Sequence, residues 1–270
     1  MGTSRMSRLA PTNVLVGIDD TDNLESPGTG RLARMLVERI DELGLGSPLG
    51  ATRHQLLVDP RIPYTSHNSS VCIALAVADP AALGAITKAA AEFLERIGAE
   101  GSDPGLAVTG AGDWERSNAR ARLSAFGSLA KRDVLNQASA RALADDLGIH
   151  LSPHGGDGGG IIGALAAVGL HCSGDDGRFL WMPGMREVGG EQIYGELLAA
   201  VPLDVALDPS GVEPAPDDLI ELGDWVRPIL RDGRSVLLLD PPAADSGNPS
   251  GVAGGRQRWV AAIKETVKAY

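Results

Sequence analysis

The fold is decided by the stretch Asn13-Val14-Leu15-Val16-Gly17-Ile18-Asp19-Asp20-Thr21-Asp22. Its apolar half is short and rich in β-branched residues, which predicts a buried strand, and its acidic half places polar groups at the end of that strand. From Thr29 to Leu43 apolar residues recur at helical spacing, and Gly44 follows as a helix stop. The sequence therefore predicts a βα unit with an acidic turn between strand and helix.

Three more strands and a second helix follow this unit. The strands are predicted at Ala51–Val58, Ser70–Ala78 and Gly105–Thr109, and the helix at Pro80–Ile97. The order β-α-β-β-α-β over residues 13–109 is the ferredoxin-like split-βαβ pattern, with both helices on one face of a sheet. We therefore predict an α/β fold of the α+β kind with a ferredoxin-like core.

Further elements are predicted to extend this core. They are a helix from Asn118 to Leu147 that breaks near Gly127, a helix at Ile161–Val168, and a strand at Arg178–Met182. Beyond about Gly190, clusters of Pro, Asp and Gly change the texture of the chain. We expect two domains, 12–190 and 191–270, of which the second is a small α/β extension of unknown role.

The extension itself gives weaker signals. We predict a short helix or turn at Leu219–Leu230, a strand at Ser235–Leu239 and a final helix at about Arg256–Lys268. Two loops, Asp208–Asp218 and Pro241–Gly255, are predicted from their turn-forming residues.

Composition limits the functional classes. The net charge is −11, with 35 acidic and 24 basic residues, which works against general binding of nucleic acid. The cysteines, Cys72 and Cys172, are far apart and form no Cys-x-x-Cys pair, which argues against a disulfide framework or a zinc ribbon. The first eleven residues lack a signal-peptide pattern, and no stretch has the roughly 20 apolar residues of a membrane helix. These features predict a cytoplasmic protein without membrane contact.

The acidic turn is a candidate metal and phosphate site. Asp19, Asp20 and Asp22 would repel one another unless a cation or hydrogen-bond donors neutralise them, and magnesium prefers a few carboxylates together with water and phosphate oxygens. The alternative is a solvent-exposed turn in which Asp22 or Asn23 caps the helix. Thr21 could cap the turn, ligate a metal or act as a hydroxyl nucleophile.

A glycine-rich loop, Gly155–Gly160, leads directly into a predicted helix. Its backbone donors and the positive end of the helix dipole could hold a phosphate group. The alternative is a flexible connector.

Three segments of the chain resemble successive motifs of one known family. They are Gly17–Asp22, Asp59–Asn68 and Gly160–Gly169, and they look like motifs of agmatidine synthase, in the same order. That archaeal enzyme uses ATP to join agmatine to the wobble cytidine of an isoleucine tRNA. The resemblance covers roughly residues 13–187, which corresponds to the kinase-like domain of the family, so that domain 12–190 is expected to bind ATP.

The resemblance implies ATP and Mg²⁺ as cofactors. It also implies that three carboxylates hold the metal and the phosphates and that a threonine accepts a phosphoryl group. The catalytic residues would be Asp19, Asp20, Thr21 and Asp22, with the metal on Asp19, Asp20 and Asp22. The nucleotide-binding residues would be Gly17, Asn68, Gly158, Gly159 and Gly160.

Two departures from the family alter the expected substrate. Where the family has a Cys-Thr-Thr element after a glycine, this chain has Gly28-Thr29-Gly30-Arg31. Its C-terminal part shows no counterpart of the family's OB-fold and zinc ribbon, which argues against direct tRNA binding. We therefore expect an ATP- and Mg-dependent kinase or ligase that acts on a small-molecule acceptor. The alternatives are a tRNA-modifying ligase that works with a partner, and a sensor that binds ATP without turning it over.

Overall fold

The chain divides into two compact units. A computed structural model describes residues 14–23, 25–26, 28–62, 68–114, 118–240 and 256–268. The first unit ends at Trp181 and the second starts at Met182. The sequence places the domain boundary nine residues later, at 190/191, inside a strand of the second unit.

Within the described residues, the first unit contains six strands and the helices between them. In chain order its elements are β1 (Val14–Asp19), α1 (Thr29–Glu42), β2 (Ser47–Gln55), β3 (Ser69–Ala76), α2 (Ala82–Ile97), β4 (Gly105–Gly110), α3 (Ala111–Trp114), α4 (Ala119–Ala130), α5 (Gln137–Leu147), β5 (His150–Pro153), α6 (Gly160–Ser173) and β6 (Arg178–Trp181).

The first unit has a ferredoxin-like core. Its central strands lie in the order β4-β1-β3-β2, and all neighbours are antiparallel. This is the strand order that the β-α-β-β-α-β sequence produces when each helix crosses over to a strand two places away. Strand β5 extends the sheet beyond β4, and β6 extends it beyond β2. The predicted α+β class and split-βαβ core are confirmed.

Alternate residues of β1 enter two different cores. Val14, Val16 and Ile18 pack with α1 and α2 on one face of the sheet. Leu15 packs on the other face, where α4, α5 and α6 cover the sheet. Because both faces are covered, β1 has no polar side chain from Val14 to Ile18, and its only acid, Asp19, stands at its last position.

Glycines let α6 lie very close to the sheet. A Cβ on Gly17 of β1 would stand 2.1 Å from the carbonyl oxygen of Ala164, and one on Gly105 of β4 would stand 2.1 Å from the backbone of Gly160. Real Cβ contacts are never this short, so only glycine fits these positions. Helix α6 is thereby fixed against β1 and β4.

The predicted helix Asn118–Leu147 is broken elsewhere than expected. Gly127 lies inside α4 and does not break it. Its missing side chain allows the close approach of Leu170 in α6. The break comes at residues 131–136, and Asn136 then caps α5 through its Oδ1, which accepts the backbone N–H of Ser139 at 2.9 Å. Strand β5, which has only four residues, was not predicted from the sequence.

The second unit is a small α/β body. Its elements are β7 (Gly190–Ile193), α7 (Tyr194–Ala200), β8 (Val205–Leu207), β9 (Leu219–Leu222), β10 (Ile229–Arg231), β11 (Arg234–Asp240), β12 (Arg258–Ala261) and α8 (Lys264–Lys268). Strand β11 pairs with β8, β10 and β12, and β9 joins β12 to β7.

Two predictions for this unit were wrong. The span Leu219–Leu230 contains the strands β9 and β10 in place of a helix or turn, and the span Arg256–Lys268 begins with β12 before a single turn of helix. The predicted strand at Ser235–Leu239 is confirmed as β11. The predicted loop Pro241–Gly255 lies outside the described residues.

The second unit has a core of its own. Val205, Ile229, Val236 and Leu238 pack together with residues at the end of the chain. Tyr194 is fully buried, and its hydroxyl donates to Glu213 at 2.7 Å and accepts the backbone N–H of Ala206 at 3.0 Å. Over the parts of the chain described here, no helix is both long and apolar enough to span a membrane.

Candidate functional site

A cavity of about 520 Å³ lies in the first unit at the carboxyl end of β1. Its lining includes the acidic turn after β1, the connection between α4 and α5, the N-terminal turn of α6 and the start of β3. Leu56, Asp103 and Asp157 also line it. The cavity therefore brings together residues of the three segments that resemble the motifs of one family, residues 130–137, and residues outside both.

Asp19 lies at the floor of the cavity against α6. A Cβ on Gly163 would stand 1.7 Å from its carboxylate, so a glycine is required where the helix passes this side chain. Burial in the protein and, to a smaller extent, the nearby charge of Asp20 raise the pKa of Asp19 to about 8. At neutral pH this carboxyl group is protonated unless a cation reaches it.

Asp20 forms the turn that follows β1. Its φ of 50° is left-handed, a conformation that aspartate tolerates better than most residues. The carbonyl oxygen of Asp20 accepts the backbone N–H of Asp103 at 3.1 Å, which joins the acidic turn to the loop before β4. Desolvation and the charges of Asp103 and Asp22 raise the pKa of Asp20 to about 6.

A chain of hydroxyl groups connects the acidic turn to α1. The hydroxyl of Thr21 donates to Thr29 Oγ1 at 3.2 Å, and the hydroxyl of Thr29 donates to Asp22 Oδ1 at 2.9 Å. Thr29 and Asp22 line the cavity, whereas Thr21 is fully buried behind them. Of these two threonines, Thr29 is therefore the one that lines the cavity.

The glycine-rich loop is held by a carboxylate. The backbone N–H groups of Gly158 and Gly159 both donate to Asp103, to Oδ1 at 2.8 Å and to Oδ2 at 2.5 Å. These are the donors that the sequence analysis assigns to a phosphate group. In this structure Asp103 occupies them, and desolvation together with Asp157 raises its pKa.

The remaining predicted site residues divide into two groups. Asn68, Gly159 and Gly160 line the cavity together with Asp19, Asp20 and Asp22. Gly17 and Gly158 do not line it: Gly17 lies in the middle of β1, where it allows the approach of α6, and Gly158 turns the loop with a φ of 86°. Of the second motif, residues 63–67 lie outside the described residues.

Asn68 has a structural role beside the cavity. Its Nδ2 donates to the carbonyl oxygen of Leu57 at 2.6 Å, and its own carbonyl oxygen accepts the backbone N–H of Leu56 at 2.9 Å. Asn68 therefore closes the loop between β2 and β3 at its base.

The carboxylates do not form a ready-made metal site. Within the described ranges, no three His, Cys, Asp or Glu side chains converge closely enough to hold a metal ion by themselves. Burial and the neighbouring acids raise the pKa of Asp19 and of Asp20, so the charged form of both carboxyl groups is unfavourable without a cation. Such a group suits a cation that shares its coordination with phosphate oxygens and water, as Mg²⁺ does.

Asp103 and residues 130–137 were missed in the sequence analysis. Asp103 is a single acid in a loop, and its glycine partners lie 55 and 56 residues away, so no local pattern marks it. The connection after α4 could have been found from Asn136, whose position before an amphipathic stretch is typical of a helix cap.

A buried polar network holds residue 131, next to the cavity wall. Thr52 Oγ1 lies 2.8 Å from His54 Nε2 and 2.9 Å from His171 Nδ1, and His54 Nδ1 lies 2.9 Å from Asp176. Asp176 also accepts a hydrogen bond from Lys131, at the end of α4. Burial lowers the pKa of His54, and burial followed by the charge of His54 lowers that of His171 to about 3, so both rings are neutral at physiological pH.

Two curated relatives share sequence with this chain. Both are 2-agmatinylcytidine synthetases of an isoleucine tRNA, named TiaS, one from Methanosarcina acetivorans and one from Methanosarcina mazei, and they are 33% and 36% identical to it. Each match covers 159 residues, which is 58% of this chain and 35% of the relative. The chain thus matches about a third of the length of these proteins. No protein-family model matches it.

A solved structure shares the fold. The crystal structure of TiaS in complex with an isoleucine tRNA and ATP is 31% identical, with a TM-score of 0.50, over 58% of this chain and 36% of that chain. Over this part of its length, the chain resembles the 2-agmatinylcytidine synthetases that act on an isoleucine tRNA, as its three motifs predict.

Proposed function

We propose that residues 14–181 form an ATP-dependent phosphoryl-transfer domain that takes part in the modification of RNA. The observation that supports this most directly is the meeting of the three motif segments at one cavity. Asp19, Asp20 and Asp22 come from the first, Asn68 from the second, and Gly160 and Gly163 from the third. Residues that are distant in sequence but share one lining point to a common ligand.

ATP is the proposed nucleotide. The cavity has the size of a small-molecule site, and its lining combines apolar residues, including Leu56 and Ile162, with polar ones. One of the related proteins has been crystallised with ATP and an isoleucine tRNA. The adenine and ribose would lie along the apolar walls, with the phosphates toward the acidic turn.

Mg²⁺ is the proposed metal. Asp19, Asp20 and Asp22 would hold it together with phosphate oxygens, which explains why the carboxylates alone form no complete site. When bound, the ion would neutralise charge on the transferring phosphoryl group. Thr29 would orient Asp22 through the hydrogen bond seen here.

The proposed acceptor is an RNA nucleotide. The curated relatives are named for a tRNA product, which favours the RNA alternative over a small-molecule acceptor. A net charge of −11 makes a general RNA-binding surface unfavourable. We therefore expect the RNA to be recognised locally or with help from a partner that supplies positive charge.

We propose two threonines of the protein as candidates for the hydroxyl group that takes up a phosphoryl group from ATP. The family resemblance points to Thr21, whereas the geometry presents Thr29 to the cavity. Phosphorylation of Thr21 requires the turn to open, because its hydroxyl is fully buried. Phosphorylation of Thr29 requires no such opening.

The proposal is tested by ATP turnover and intact mass. The wild type would be incubated with Mg²⁺ and ATP, alone, with bulk tRNA or with a metabolite extract, beside Thr21→Val, Thr29→Val and Asp20→Asn. We expect turnover that tRNA stimulates, loss of turnover in Asp20→Asn, and an added phosphoryl mass that disappears in only one threonine variant. Stimulation by a metabolite extract and not by tRNA would restore the small-molecule hypothesis. Binding of ATP without turnover in every condition would indicate a sensor.

A further inference from the structure

Two arginines face each other across neighbouring strands beside the cavity. Arg53 of β2 is in register with Arg178 of β6, which puts their side chains on the same face of the sheet. Directly opposed like charges destabilise a sheet unless an opposite charge bridges them. The pair therefore needs an explanation that the fold alone does not supply.

The nearby carboxylates do not bridge the pair. Asp22 is close enough to influence Arg53, and Asp176 is close enough to influence Arg178. Asp176, however, is already bonded to Lys131 and to His54. Asp176 therefore serves Lys131 and His54, and it is not free to bridge Arg53 and Arg178.

Hydrogen-bonding capacity is also unused. The Nη1 atom of Arg178 is buried and has no hydrogen-bond partner among the described residues. Arg53 donates from Nε to Ser69 Oγ at 2.9 Å, and Ser69 lines the cavity. Burial followed by the charge of Arg178 lowers the pKa of Arg53, as expected when two guanidinium groups lack an anion between them.

We propose that Arg53 and Arg178 bind a phosphate oxyanion beside Asp22 and Ser69, two residues that line the neighbouring cavity. Paired guanidinium groups match the geometry of phosphate oxygens, and both side chains remain partly exposed. The phosphate could belong to the polyphosphate of a nucleotide or to a phosphodiester of RNA. The site itself is independent of the proposed function, but the identity of its ligand rests on it.

The test separates a ligand role from a structural role. Arg53→Gln and Arg178→Gln would be compared with wild type and with Arg39→Gln, an exposed arginine of α1. Removing one of two opposed charges should raise the ligand-free Tm while lowering affinity for an anion. If the arginines are structural, replacing either of them should instead lower both the ligand-free Tm and the affinity for the anion.

Four probes identify the source of the phosphate: inorganic pyrophosphate, ATP, AMP and bulk tRNA, titrated by calorimetry. If the ligand is a polyphosphate, each variant should bind pyrophosphate and ATP about tenfold or more weakly, the loss expected for one charged hydrogen-bonding group, with AMP little affected. If it is a phosphodiester, only the affinity for tRNA should fall.

The inference and the proposed function can fail separately. If the wild type binds ATP and both arginine variants bind all four probes equally well, the arginine pair is not an anion site and the ATP proposal survives. If the wild type binds pyrophosphate through the pair but does not bind ATP, the anion site stands and the proposed function is wrong. A lower ligand-free Tm in both variants, with the same affinities for the probes, would also overturn the inference.

Discussion

The side chain of Asp19 links the stability of the fold to the chemistry of the cavity. It lies where Gly163 lets α6 approach, so its carboxylate is shielded from water and surrounded by other acids. A proton and a metal cation therefore compete to neutralise the carboxylate of Asp19. Protonation and cation binding depend on pH in opposite directions.

We predict that the ligand-free protein loses stability as the pH rises from about 5 to 8. The pKa of Asp19 is about 8 in the folded state against an ordinary value of 3.8, and that of Asp20 is about 6. At a pH between the ordinary value of 3.8 and the folded-state value of about 8, the folded protein holds more protons than the unfolded chain. The free energy of unfolding then falls with pH by up to about 1.4 kcal/mol per pH unit for each extra proton.

Urea unfolding at several pH values would measure this slope. Asp19→Asn should flatten it and should be more stable than wild type at pH 8, because the amide cannot ionise. Asp217→Asn in the exposed loop of the second unit is the matched control and should follow the wild type. A stability that rises with pH over this range would contradict the assignment.

We predict that Mg²⁺ strengthens ATP binding more at pH 8 than at pH 5.5. At the lower pH, Asp19 and Asp20 are protonated, so a cation must displace protons before it can bind. Calorimetric titration with and without Mg²⁺ in two buffers of different ionisation enthalpy would measure both the affinity and the protons released. A Mg²⁺ effect that does not change with pH would show that these carboxyl groups are not its ligands.

Among the elements, α6 has the strictest packing requirement, and two glycine substitutions test it. Gly163→Ala should lower stability and disturb the cavity, because its Cβ would collide with Asp19. Gly84→Ala in α2 has open space around the new Cβ and should gain about 0.5–1 kcal/mol from the helix propensity of alanine. Thermal unfolding compares the two. Equal effects in the two helices would refute the close approach of α6 to β1.

Local patterns predicted the long elements and missed those defined by distant contacts. The apolar run of β1 and the helical spacing of α1 and α2 carry enough signal for the split-βαβ order. Gly127 was interpreted as a helix break because nothing nearby shows that Leu170 of α6 packs against it. Strands of three or four residues, such as β9 and β10, show no periodicity of their own and are fixed by pairing with strands distant in sequence.

The candidate site follows the same rule. Asp19, Asp20 and Asp22 were found because three acids in four residues are visible in the sequence, and all three line the cavity. The use of the glycine loop was not visible, because the carboxylate that binds Gly158 and Gly159 belongs to Asp103, more than 50 residues earlier. Sequence reasoning located the loop but could not identify the group that its backbone holds.

At the scale of the whole molecule, each unit has a hydrophobic core of its own. The core of the second unit includes Leu238, whereas Leu165 of α6 belongs to the first. Both leucines are buried, at 5% and 0% exposure. Truncating a buried leucine typically costs about 2–5 kcal/mol, through lost burial and the cavity left behind. Replacing Leu238 and replacing Leu165 by alanine should therefore destabilise different units of the molecule.

We predict that Leu238→Ala weakens the second unit and leaves ATP affinity unchanged, whereas Leu165→Ala lowers both stability and affinity. Hydrogen exchange read by mass spectrometry would assign the loss of protection to residues 182–268 or 14–181, and calorimetry would give the affinity. The prediction depends on the cavity being lined entirely by residues of the first unit. If Leu238→Ala abolishes ATP binding while residues 14–181 keep their protection, the nucleotide site extends beyond that unit.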